Sequence, residues 1–178
     1  MSTPATPTAA SADIPLDRDL FMRTLIRELA GTLESVVGIE DATGYISVVG
    51  AAMGDTINGS YRKGLHVDRL SRSQVTAVLI DLKRRIDGQF HVIEETADRI
   101  VFGNHVCPFG DKVLGRPSMC MMTSNVFGRI AAENLGYARV DLERTIAAGH
   151  GECRVVVHLR SESAEQSLDG REYFKTGV

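Results

Sequence analysis

Apolar side chains recur at three- and four-residue spacing through Leu20, Phe21, Leu25, Ile26, Leu29, Leu33 and Val36. That period predicts an amphipathic helix with Asp17 and Asp19 at its positive end and Gly38 as its stop. A second helical pattern runs from about Asp41 to Arg62 through Ile46, Val49, Met53, Ile57 and Tyr61. Its glycines (Gly44, Gly50, Gly54, Gly59) each cost about 1 kcal/mol of helix stability against alanine, so close approach by a neighbouring backbone or a dimer mate is expected. A third helix has Ser71 or Ser73 as its N-cap, places Val75, Val78, Leu79, Leu82 and Ile86 on one face, and ends at Asp87-Gly88.

From Gln89 the period becomes two. The runs before and after Thr96-Ala97-Asp98 predict a hairpin. A loop with Pro108, Gly110, Gly115 and Pro117 follows. After it come a helix from about Ser118 to Asn134, a strand at Tyr137–Leu142, a turn near Arg144–Ala148 and a strand at Glu152–Leu159. This order predicts an α+β domain, an antiparallel sheet of about four strands with the N-terminal helices packed on it. Residues 1–15 read as a disordered arm, 16–160 as a single domain and 161–178 as a polar tail.

Composition changes little. The chain is 43% hydrophobic and 24% charged with a net charge of −3, the profile of an ordinary globular protein with no basic face for nucleic acid. Charged residues or glycine interrupt each apolar run before the roughly 20 residues that cross a bilayer. Residues 1–12 have neither the basic nor the apolar region of a secretory signal. A cytoplasmic location is expected, where three cysteines read as metal binding, reactivity or core rather than as a disulfide framework.

Those cysteines, Cys107, Cys120 and Cys153, all fall between Arg99 and His158, each at the edge of a predicted element. No CxxC knuckle is present, so spacing alone leaves buried single thiols as the commoner reading. His91 and His158 sit in predicted strands and no catalytic triad spacing is recognisable. Lys83, Arg84 and Arg85 read as a solvated helix end.

The sequences Val106-Cys-Pro-Phe-Gly110, Met119-Cys-Met-Met-Thr-Ser-Asn125 and Cys153-Arg-Val-Val-Val-His-Leu159 resemble the methanogen output domain. More broadly, the segment after Arg99 is similar to the 4-vinyl-reductase-like domains, small-molecule-binding modules seen beside phenol-responsive sensors and related by fold to transport-particle (TRAPP) subunits. The resemblance implies a sensory or signal-transducing module with a signalling partner protein and a ligand between helix and sheet against Met122, Phe127 and Ile130, while the glycine-rich N-terminal helices lead us to expect a homodimer through them. It also implies a zinc site whose four positions fall on Cys120, Glu143, Ile146 and Cys153. Ile146 cannot ligate, so Cys107 is expected to supply the missing thiolate, with His150 the second choice. An iron–sulfur cluster is the weaker cofactor alternative. A metal-dependent enzyme, hydrolase or reductase accessory, with an open metal position is the alternative function. A metal-free thiol switch is a third.

Overall fold

The computed structural model describes residue 9, residues 13–161 and residues 170–176. Asp17 accepts the Leu20 backbone N–H at 2.7 Å and starts α1 (Arg18–Gly64). The two predicted N-terminal helices are the two halves of α1. They meet at Gly38, whose φ of 83° and ψ of 164° no side-chain-bearing residue adopts comfortably. Ser71 and Gln74 form a reciprocal capping box that opens α2 (Arg72–Arg84), so the predicted cap is the observed one. The hairpin follows as β1 (Phe90–Glu95) and β2 (Arg99–Asn104), then α3 (Cys120–Leu135), β3 (Tyr137–Arg144) and β4 (Cys153–His158).

A fifth strand, β5 (Arg171–Phe174), corrects the expected count of four. It pairs antiparallel with β3 and lays the Tyr173 ring on α3 at Gly128, where a Cβ would collide with it. Four residues are too few for alternation to register, so this strand depends on tertiary contact rather than local pattern. The rest of the expected arm and tail, residues 1–8, 10–12, 162–169 and 177–178, lies outside the described residues. The sheet order is β1-β2-β4-β3-β5, antiparallel throughout.

Two apolar clusters flank α3. The larger joins α2, the inner sheet face and α3, with Phe90 and Phe102 both edge-on to Phe127 at 5.4 Å. The smaller gathers Ala30 and Ile46 of α1 with Val113, Met119 and Ala147 of the connecting loops. Between α1 and α3 the contact is made by a stripe at four-residue spacing: Ala42, Ile46, Gly50, Gly54 and Asn58 are all buried. The glycines therefore find their close neighbour within the chain. Ile46 is buried as expected and Ile26, Ile57 and Tyr61 pack against the core, but Phe21, Leu25, Leu29, Val36, Val49 and Met53 are exposed. By length and composition α1 also contains one stretch apolar enough to cross a bilayer, 17% of it buried, which a helix stopped at Gly38 does not reveal.

The two halves of α1 hold different partners. Arg27 in the first half donates to the carbonyls of Lys112 (2.6 Å) and Leu114 (2.8 Å), and Glu34 accepts from Ser118 and pairs with Arg116. In the second half, Asp55 pairs with Arg129 of α3 at 2.5 Å.

Candidate functional site

Each cysteine stands where an element begins or ends. Cys107 follows β2 in a turn closed by the Gly110 N–H on its carbonyl at 2.8 Å. The loop is anchored by buried Asn104, whose Oδ1 accepts the backbone N–H groups of Gln89 and Val106. Cys120 opens α3 after a 3₁₀ turn at Pro117–Met119. Cys153 opens β4 opposite Asn104.

These placements bring all three thiols to one cavity of about 30 Å³, whose walls are otherwise mainly apolar and include Phe90, Phe109, Met119, Leu142 and Val155. All three cysteines are free and partly buried. Burial pushes the Cys107 thiol up, and burial together with the two other thiols takes Cys120 to about 12, so both carry their protons at neutral pH. Ile146 takes part through its backbone, donating its N–H to Cys153 Sγ at 3.4 Å.

The other expected ligands stand elsewhere. Glu143 is half-exposed and bound to Arg154 at 2.7 Å. His150 is exposed and folds Nδ1 back on the Thr145 backbone. Among the described residues no three His, Cys, Asp or Glu side chains are grouped to hold a metal ion. The three thiols by themselves fall one donor short of the four that a closed structural zinc centre takes. The expected ligand wall is also displaced from the cavity: Phe127 and Ile130 are fully buried in the larger cluster and Met122 belongs to the α1 side.

Sequence reasoning missed Lys83. It stands four residues after buried Leu79, on the inward side of α2, and only 6% of it is exposed. Its neighbours Arg84 and Arg85 do face solvent, where both pair with Asp81. Lys83 Nζ donates to Thr123 Oγ1 at 2.8 Å and lies 5.3 Å and 5.5 Å from the Phe90 and Phe127 ring centroids. Burial lowers its pKa to about 8, with the three thiols acting weakly in the opposite sense. Its spacing from Leu79 is the one signal the sequence carries for this inward turn.

A second pocket of about 350 Å³ adjoins the first, sharing Cys120, Leu142 and Thr145 as a partition and adding Pro117, Met121, Val140, Asp141 and Glu143. Together they form a small inner chamber with thiol and hydroxyl groups on its walls, Lys83 standing behind Thr123 and Phe90, and a larger outer one.

No curated protein matches this chain. Among solved structures, it is similar to the phenol-responsive sensory domain of the transcription activator PoxR with phenol: 15% identity, a TM-score of 0.64, and coverage of 82% of this chain and 75% of that one. It is also similar to trafficking protein particle complex subunit 3 from Naegleria fowleri covalently bound to palmitic acid: 10% identity, a TM-score of 0.56, and coverage of 79% and 96%. These likenesses show the fold. Residues 25–158 match methanogen output domain 1, a span that holds the three cysteines, Lys83 and four of the five strands, and the chain belongs to that family.

Proposed function

We propose that this chain is a sensory, regulatory module that responds to a small molecule held in the two adjoining chambers at Cys120. The observation that carries the reading is the partition itself: one thiol, at the first residue of α3, borders both a small, mainly apolar cavity and a larger adjoining pocket of mixed polarity. Pockets of that combined kind, apolar with a few convergent polar groups, are where small ligands bind. Two structures of this fold are described with phenol and with palmitic acid, both largely apolar molecules, which supports the same chemistry here. Free thiols suit a reducing compartment, so we place the chain in the cytoplasm. Its exposed α1 face is the surface we assign to self-association.

The test uses methyl-labelled methionine. Phenol and hexanoate at millimolar concentration are expected to shift the Met119 and Met121 resonances while leaving exposed Met22 unchanged. If neither probe moves either signal, the reading is wrong.

Zinc at the three thiols is the second reading, supported by their sharing one cavity. It requires a fourth donor from outside the three, because Glu143 and His150 are engaged elsewhere. Metal analysis of protein purified without chelators decides it: one equivalent of zinc, lost in Cys120→Ser, would establish that reading.

A further inference from the structure

The Lys83 ammonium is the least explained group in the molecule. It is buried, yet among the described residues no carboxylate stands within ion-pair distance of it. Thr123 Oγ1 takes one of its three protons, and the rings of Phe90 and Phe127 give it a quadrupole to face. An ammonium withdrawn from water is ordinarily matched by an anion, because neither a hydroxyl nor an aromatic face replaces the lost hydration. Thr123 and Phe90, the groups that hold it, are themselves walls of the inner chamber. The unmatched charge therefore stands directly behind the cavity wall, one hydrogen bond from Thr123.

Resting on the small-molecule reading above, we propose that the ligand is a small carboxylic acid, its carboxylate received in the inner chamber at Thr123, with the Lys83 charge behind that hydroxyl, and its apolar body lying in the outer pocket. The size of the inner chamber selects the head. About 30 Å³ admits a group on the scale of one or two waters, as a carboxylate is, and not a bulky one. A single cation also balances a monoanion, whereas a phosphate dianion would bury an excess of negative charge. Beyond the partition, Pro117, Met121 and Leu142 offer an apolar wall, and methionine there adapts to differing tail shapes. Both acids that line this pocket are held in pairs, Glu143 by Arg154 at 2.7 Å and Asp141 by Arg139 at 3.2 Å and His158 Nε2 at 2.9 Å.

The experiment titrates the full chain with matched acids and alcohols, namely propionate, hexanoate and benzoate against propanol, hexanol and benzyl alcohol. Calorimetry reads wild type and Lys83→Met, and circular dichroism confirms that the variant is folded. The expected result is that at least one acid binds wild type tenfold or more tighter than its alcohol, and that Lys83→Met abolishes this preference while still binding the alcohol. Alcohols bound as tightly as acids by wild type, or an acid preference that survives in Lys83→Met, would overturn the role of Lys83 and leave the small-molecule reading standing. No binding of any of the six would overturn both. Stoichiometric zinc that is present in wild type and lost in Lys83→Met would overturn the proposal by identifying Lys83 as the counter-charge of a metal–thiolate site.

Discussion

Lys83 holds its charge where charge is costly, and that fixes the sign of a pH dependence. Its pKa is about 8 in the folded chain and returns to the ordinary 10.5 on unfolding. Between those values the unfolded chain keeps a proton that the folded chain has released, so stability rises with pH across that window, by on the order of 3 kcal/mol at most. Cys120 acts in the opposite sense. Its thiol is raised from 9 to about 12, so stability is lost as pH climbs through that range. The net gain is confined to the interval from about pH 8 to 9. Lys83→Met removes only the first contribution. The variant is expected to melt above wild type at pH 7, with the gap narrowing as pH rises beyond 8; thermal denaturation at pH 7, 8, 9 and 10 checks this, and a constant gap would mean that the charge is not buried as described. Nothing in the sequence around Lys83 distinguishes it from Arg84 and Arg85 except its spacing from Leu79. A run of three cations reads as solvated unless position on the helix outweighs residue type.

Among elements, the contact of α1 with α3 makes two glycines respond in opposite directions. A Cβ on Gly54 would lie 2.9 Å from Arg129 Cβ, whereas a Cβ on Gly59 would meet nothing within 4 Å. Gly54→Val is therefore expected to wedge the helices apart at a cost of about 1–3 kcal/mol. Gly59→Ala is expected to stabilise by about 0.5–1 kcal/mol through helix propensity alone. Urea unfolding midpoints measure both, and equal effects would refute the packing stripe. The need for a close neighbour was legible in these glycines. The face they mark was not, because Ala42, Gly50 and Gly54 carry too little apolar surface to outweigh Val49 and Met53 in a hydrophobic pattern. The hairpin, the Ser71 cap and the edge positions of the cysteines were legible because turn chemistry and period are local properties. The convergence of Cys107, Cys120 and Cys153 depends on sheet register, and only the family resemblance made it foreseeable.

For the whole molecule, the consequence of that reversed face is a set of exposed apolar side chains on both halves of α1. Phe21, Leu25 and Leu29 stand four residues apart on the first half, and Val48, Val49 and Met53 lie exposed on the second. Surfaces of this kind mark association sites. Sedimentation velocity at micromolar concentrations is expected to show a dimer, and Leu29→Glu with Val48→Glu is expected to shift it to monomer without loss of helical content. A monomeric wild type at 100 µM or so, well above a micromolar Kd, would refute self-association through this face. Such a pairing would join two bent helices rather than two straight rods, since Gly38 interrupts each one. Each arm of α1, on either side of Gly38, is held by a different part of the fold. One arm is gripped by the loop that leads from Cys107 to Ser118, and the other by α3, which begins at Cys120. The loop anchored at Cys107 and the helix opened by Cys120 are thus tied to opposite sides of one glycine, so the two walls of the thiol chamber are also joined, by the long way round, through Gly38.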